Sequence, residues 1–351
     1  MDSVTQIALG AAVGEATLGR QTGRRAWMWG AFCGLFPDLD ILYPFNDAVK
    51  AFTYHRGPSH SLFVLAALTP LFAWLILRLH PQTARYRTRW YVLIYLVFVT
   101  HVLLDCLTVY GTQIFWPLGT PPVMWSTIFI IDPVYSVPLF AAVLAALMVS
   151  RKRSWGRVAN TVGLVLSTIY LMWTVGAKIY VTDIAHQSLK EQGIAYQQML
   201  TIPGPLNSLL WRVLAMDDTG YFEGFYSILD HTKDVLVKHY PSEKSLLKDM
   251  ADQWPVKRLK WFTHGFYSVG RVADDIVITD LRMGLEPFYV FQFNVGQAGN
   301  PRAKATRTSR MKGERRWDQL RWVWQRIWTA APDTSLTGDH KTGVKVAASG
   351  S

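Results

Sequence analysis

Residues 55–79 read HRGPSHSLFVLAALTPLFAWLILRL, a polar run with two histidines followed by an apolar run unbroken by charge until Arg78. A hydrocarbon core ~30 Å thick demands roughly 20 apolar residues of a helix. Ser61 to Leu79 therefore predicts a membrane span with His55 and His60 at its mouth. Trp90 to Leu107, Ile128 to Val149 and Val158 to Ala177 predict three more long spans. Val4 to Leu18 and Ala26 to Phe36 are shorter and flank an arginine-bearing turn. They predict a helical hairpin packed into the bundle, with Gly10, Gly14, Gly30 and Gly34 permitting close approach. A soluble-core pair is the alternative reading of these two segments.

Composition agrees with a divided chain. Of 351 residues half are hydrophobic and 17% are charged, and the mean hydropathy is +0.13. That is too apolar for an average soluble protein and too polar for one wholly in membrane. The expected fold is mainly α: a polytopic helical bundle of four long spans plus the N-terminal hairpin, followed by a small α+β domain outside the cytoplasm. The expected boundaries are a membrane domain over 1–177, a β-rich domain over 178–300 and a basic tail over 301–351. Tyr196–Leu200, Leu209–Met216, Tyr221–Ile228, Arg258–Tyr267, Asp275–Asp280 and Phe288–Val295 predict strands, with Asp217-Asp218-Thr219-Gly220 as a hairpin turn. In the tail, Trp317, Leu320, Trp324, Ile327 and Trp328 recur at helical spacing among Arg316, Arg321 and Arg326. Such a helix suits either an anionic lipid surface or a seat on the outer domain. Asp333 to Ser351 is polar and is expected to be disordered. Cys33 and Cys106 lie in apolar segments and give no paired cysteine framework. Met1-Asp2-Ser3 lacks the basic start of a signal peptide, so the first apolar segment is expected to persist.

Three short basic turns set the orientation: Arg20, Arg24 and Arg25; Arg78, Arg85, Arg87 and Arg89; Arg151, Lys152, Arg153 and Arg157. Alternating spans put all three on one side, and the positive-inside rule makes that side cytoplasmic. The acids and histidines then collect on the other side, facing the periplasm of an inner membrane. These turns and a lipid-facing tail absorb much of the +11 net charge, and no nucleic-acid partner is expected.

Ionisable groups are costly in a bilayer unless paired, hydrated or metal-bound, so their gathering needs a cause. His101 and Asp105 stand four apart on one helix face and could address one ion, or simply pair with each other. His55 and His60 bracket a turn forced by Gly57-Pro58. Asp38 and Asp40 follow Pro37, where one could ligate metal while the other orients a histidine, or both could merely end a helix. Asp132 before Pro133 is either a site residue or a helix N-cap. Glu15 on the first short helix needs a partner, whether metal, His or Arg. Arg56 suits a substrate oxyanion or phosphate, or else a salt bridge to Asp38 or Asp40.

Met1-Asp2-Ser3-Val4-Thr5-Gln6, Gly34 to Asp40, His55 to Leu62, Thr100-His101 to Asp105, Tyr110-Gly111-Thr112 and Ile131 to Tyr135 together resemble the YdjM-type family of LexA-regulated, membrane-bound metal-dependent hydrolases. The resemblance covers about residues 1 to 150. It implies a distant similarity to zinc-dependent phospholipases C, with Asp38, Asp40, His55, His60, His101 and Asp105 as candidate ligands and Asp132 and Glu15 behind them. Many relatives carry Thr-His in the opening motif where this chain has Thr5-Gln6. A site that uses that histidine loses a ligand here or keeps only a polar contact.

The expected activity is hydrolysis of a phosphoester or ester bond of a membrane lipid, promoted by one to three divalent ions. Zinc is favoured, and manganese and magnesium are admitted. Arg56 would steady the phosphate, and Asp40 or Asp132 would accept a proton. The alternative is an envelope stress protein whose metal site is structural and whose outer domain binds a partner.

Overall fold

The computed structural model of the chain describes residues 1–148, 155–299, 304–311 and 317–329. It opens with the hairpin of α1 (Ser3–Thr22) and α2 (Arg24–Leu35), turning at Gly23. The two helices touch along a glycine seam. A Cβ placed on Gly10 would collide with the Gly30 carbonyl, one on Gly30 with the Gly10 carbonyl, and one on Gly34 with the Gln6 carbonyl. Small residues provide this approach where lipid offers no hydrophobic drive between helices. Gly30→Leu should therefore force α2 off α1. A loss of about 3 kcal/mol or more, read as a drop in thermal midpoint in detergent, is the expected outcome.

A 3-10 turn over Phe36–Leu42 carries both aspartates and leads to α3 (Ala48–Tyr54). After a second such turn at Pro58–His60 comes α4 (Leu62–Leu79), N-capped by Ser61, and then α5 (Arg87–Cys106) returns. The short helix α6 (Pro133–Met148) and the 37-residue α7 (Trp155–Glu191) complete the bundle. Among the described residues three helical stretches are long and apolar enough to cross a membrane: Leu62–Leu79, Pro81–Cys106 and Trp155–Glu191. Among the described residues, the expected span over Ile128–Val149 is helical from Pro133 to Met148, 16 residues or about 24 Å of rise. Its apolar run is cut because Asp132 caps the helix, accepting from the amides of Val134 and Tyr135. The basic run Arg151 to Arg153 lies outside the described residues.

Helix direction sorts the chain. The starts of α1, α4 and α6 and the ends of α2 and α5 gather at one end, where the Asp2 amide meets the Ile130 carbonyl and the Leu62 amide meets the Ile114 carbonyl. Arg25 lies near His80 at the other end, where Trp29 also packs on His80. The described turns that carry Arg24, Arg25 and Arg78 thus lie away from Asp38, His60, His101 and Asp105.

The 37 residues of α7 rise about 55 Å, well beyond a bilayer core. Its last turns bury Val181, Ile184, Ala185 and Leu189 against Trp211, Val213, Ala215 and Tyr226 of the outer domain. That domain holds two antiparallel sheets in sequence order. The first is β1 (Gln198–Pro203), β2 (Leu210–Met216), β3 (Gly220–Ser227) and β4 (Val237–Pro241). Helix α8 (Trp254–Phe262) precedes the second sheet, β5 (Tyr267–Val272), β6 (Asp275–Leu285), β7 (Phe288–Gln297) and β8 (Lys304–Arg310).

The expected strand at Arg258–Tyr267 is thus helix over its first half, to Phe262, and reaches β5 only at Tyr267. Pro255 starts it, and Val256, Leu259 and Phe262 fall three apart on one buried face. The expected Asp217–Gly220 hairpin is present, with Met216 opposite Tyr221 and Leu210 opposite Ser227. The sheet continues past residue 300 through β8, which pairs with β7. Helix α9 (Trp317–Trp328) sits on the outer domain: Val323 and Ile327 are buried with Leu210, and Arg326 pairs with Asp230 at 2.6 Å. The stretch Asp333 to Ser351 lies outside the described residues.

The two halves share a core. Val49 and Phe52 of α3, with Tyr110, pack among Val256, Leu259, Phe262 and Phe293 of the outer domain. Arg258 donates to the Thr53 hydroxyl at 3.0 Å and to the Thr53 carbonyl at 3.2 Å. The outer domain thereby grips the segment that delivers His55 and His60.

Candidate metal centre

Four acidic and imidazole side chains from three separate elements converge: Asp38 from the first 3-10 turn, His60 from the second, and His101 and Asp105 from α5. All four are buried. His60 Nε2 lies 3.2 Å from His101 Nε2, 3.1 Å from Asp105 Oδ2 and 3.5 Å from Asp38 Oδ1. His101 Nε2 lies 3.5 Å from Asp105 Oδ2 and 3.7 Å from Asp38 Oδ1. A tetrahedral ion with bonds of ~2.0–2.1 Å has ligand-to-ligand edges of about 3.4 Å, so these five separations fit one shell.

Hydrogen bonding decides which atoms carry protons. His101 Nδ1 lies 2.7 Å from the Gly34 carbonyl, which can only accept, so Nδ1 holds the hydrogen and neutral His101 presents a bare Nε2. Ser59 donates its hydroxyl to Asp40 Oδ2 at 2.6 Å and so accepts from His60 Nδ1 at 2.9 Å. Neutral His60 therefore also presents a bare Nε2. Two nitrogen lone pairs and two carboxylate oxygens then face one point with no hydrogen between them. Asp105 Oδ2 and Gln6 Oε1 are buried without a hydrogen-bond partner. Such a convergence is repulsive without a cation. A proton on one imidazole relieves it in part, whereas a divalent ion satisfies all four atoms. The donor set fits a bound metal.

The remaining sequence candidates fall around this group. Asp40 is a support: its oxygens hold His55 Nδ1 at 2.7 Å, the Arg56 amide at 2.9 Å and Ser59. His55 stands outside the four, its ring 6.2 Å from that of His60 and 5.4 Å from Tyr110. Arg56 sits behind Asp105, not at an open face. Its Nη2 lies 3.2 Å from Asp105 Oδ1 and 3.3 Å from the Met1 carbonyl, and its Nη1 donates to Thr108 at 3.0 Å. The Met1 amine also pairs with Asp105. The salt bridge of Arg56 thus runs to Asp105, while Asp40 takes only its backbone. Asp132 serves α6 as N-cap and accepts from the Tyr170 hydroxyl at 2.7 Å. Glu15 lies against Gly19 on α1, apart from the four.

Gln6 keeps the polar contact. Its amide donates to the His101 carbonyl and to Asp105 Oδ1, both at 3.1 Å. The support from Ser59, Thr108 and the Gly34 carbonyl is not evident from residue type or spacing; Ser59 and Gly34 lie within the His55–Leu62 and Gly34–Asp40 motifs, but nothing there assigns them these contacts.

Electrostatics follow the geometry. Burial favours the neutral form of Asp38, but the hydrogen bond from His60 and the charge of His101 outweigh it and hold the carboxyl well below the usual range. Asp40 is lowered likewise, against its burial, by His55. Burial works against a charged His60, yet its bonds to Asp105 and Asp38 raise the imidazole above its usual value. Burial raises Asp132 in spite of Tyr170 and the two amides.

In metal-free protein the His60 contribution to stability is full below the ordinary imidazole value and fades as pH rises through the raised one. The Asp38 contribution is full above the ordinary carboxylate value and fades as pH falls through the depressed one. Metal-free protein should therefore be most stable in the mildly acidic window between them. Added metal should stabilise most above that window, since ligands must shed protons to bind. Thermal midpoints against pH, with and without chelator, check this. Ser59→Ala should cost about ten- to hundredfold in metal affinity, the usual scale for a partner that orients a ligating histidine. Competitive chelator titration reads it.

A family model described as the YdjM inner membrane protein matches residues 1–180. The chain belongs to the YdjM inner membrane protein family. The match takes in α1 to α6 and the four converging residues, and it stops within α7, before the first sheet. It makes this a membrane protein, in keeping with its apolar helices. No curated protein and no solved structure matches the chain.

Proposed function

We propose that this YdjM-family protein is a membrane-bound, metal-dependent hydrolase that cleaves a phosphoester or ester bond of a membrane lipid at the periplasmic face. The observation that carries the proposal is the buried convergence of His60 Nε2, His101 Nε2, Asp38 Oδ1 and Asp105 Oδ2, which have no hydrogen to share when both imidazoles are neutral. Two imidazoles favour zinc, and two carboxylates also admit manganese or magnesium. A divalent ion held there supplies Lewis acidity toward a phosphoryl or carbonyl oxygen. Arg56 fixes Asp105 and offsets its charge, while Asp40 sets the rings of His55 and, through Ser59, His60. His55 and Asp40 are partly exposed, with side chains 23% and 15% accessible, and form the edge at which substrate meets the centre. The arginine turns at the far end support a cytoplasmic placement there and a periplasmic placement of the site. Trp324, Trp328 and Arg321 on the exposed side of α9 would meet an anionic lipid surface.

A structural site in an envelope protein is the second reading, favoured by the count of four protein ligands, which fill a tetrahedral shell. Elemental analysis of purified protein with a lipid-hydrolysis screen separates the two. A hydrolase should carry bound metal and release a lipid product, with release stopping on addition of chelator and returning with metal. Tightly held metal with no product from any lipid class and no binding of a phosphate analogue supports the structural reading.

A further inference from the structure

The four converging side chains are buried, and the partly exposed groups beside them are Asp40 and His55. The chain that leaves Asp40 does not turn polar. Ile41, Leu42 and Tyr43 are 74%, 75% and 65% exposed, an unbroken apolar run at the edge of a charged site. Large aliphatic side chains forgo roughly 1.5–3 kcal/mol each when left in water. The run is nevertheless held in shape. The Tyr43 amide bonds the Asp40 carbonyl at 3.1 Å, Tyr43 packs on Phe45 at 4.7 Å, and Phe45 stacks on Tyr54 beside His55. The neighbouring helix ends are also apolar and open, with Phe32 of α2 42% exposed and Phe63 at the start of α4 52% exposed. In a membrane protein, a fixed apolar edge of this kind suits contact with lipid better than contact with water.

We propose that Ile41, Leu42 and Tyr43 form a membrane-immersed lip that receives the acyl chain of a lipid while its head group reaches the metal centre past Asp40 and His55. This rests on the hydrolase reading for the head group and on the exposed apolar run for the chain. It makes the substrate an amphiphile that enters sideways from the bilayer, not a solute from the aqueous phase.

The test has two arms. Cys33 and Cys106 are buried, so a thiol at Leu42→Cys takes an environment-sensitive fluorophore selectively; Asp252→Cys, at a side chain 98% exposed on the outer domain, is the aqueous control. In vesicles of phosphatidylethanolamine and phosphatidylglycerol, the probe at 42 should emit to the blue of that at 252. It should be quenched by a lipid-borne quencher and spared by iodide. Matching emission and iodide quenching at the two positions would overturn the lip. In the second arm, Leu42→Asp should retain bound metal and lose hydrolysis of vesicle lipid by about tenfold more than hydrolysis of a short-chain soluble phosphoester, because only the former uses the lip. Equal losses on both substrates would overturn acyl-chain entry. If wild type hydrolyses neither, the hydrolase reading fails, while the fluorescence arm still decides whether the lip is immersed.

Discussion

His101→Ala should leave the protein folded and unable to hold its metal. The imidazole is fixed between the Gly34 carbonyl on Nδ1 and three prospective ligand atoms on Nε2. Its removal takes one of four donors and leaves His60, Asp38 and Asp105 with no common centre. Even a residue that only orients a ligand costs about ten- to hundredfold in affinity, so loss of a ligand should exceed that and bring activity to background. His60→Ala should behave alike, since its Nε2 stands within 3.5 Å of the other three atoms. Metal content by elemental analysis and product release from lipid vesicles are the paired readouts. Metal retained at wild-type stoichiometry in either variant would rule out this centre.

Arg56→Met should be destabilising, because Arg56 is buried and its charge answers that of Asp105. Truncating one partner of a buried ion pair leaves the other without compensation, typically at ~3–5 kcal/mol. The Thr108 hydroxyl and Met1 carbonyl lose their donor as well. Bound metal would take over part of the neutralisation of Asp105, so the loss should be smaller in metal-loaded protein. Denaturation midpoints of wild type and variant, with and without metal, check both statements. A variant of wild-type stability that loses only affinity for a phosphate analogue would return Arg56 to the role of substrate fork.

The membrane half was legible because its signals are long and chemically uniform. Leu62–Leu79 and the core of α5 follow from apolar runs alone, and the α1–α2 hairpin from its glycines. In the run at Ile128–Val149, apolar residues say nothing of where the helix begins; Asp132 and Pro133 set that, in the role of cap that the dipeptide allows. At Arg258–Tyr267 the aromatic residues are compatible with a strand, yet Pro255 and the spacing of Val256, Leu259 and Phe262 set a helix to Phe262. Within the site, His101 and Asp105 could be paired from their spacing. That Asp38 joins them while Asp40 stands behind could not. The choice depends on how the 3-10 turn rolls the two carboxylates, which is fixed by Ser59, the Arg56 amide and His55, all distant in sequence. Glu15 drew notice as an acid among small residues, but α1 carries it away from the end where Gln6 meets His101.

X-ray absorption on metal-loaded protein reports the ligands themselves. One ion bound by two imidazole nitrogens and carboxylate oxygen at ~2.0–2.2 Å is expected, with the imidazole signature diminished and the stoichiometry lowered in His60→Ala and His101→Ala. A spectrum without histidine scattering, or one identical in wild type and both variants, would contradict it.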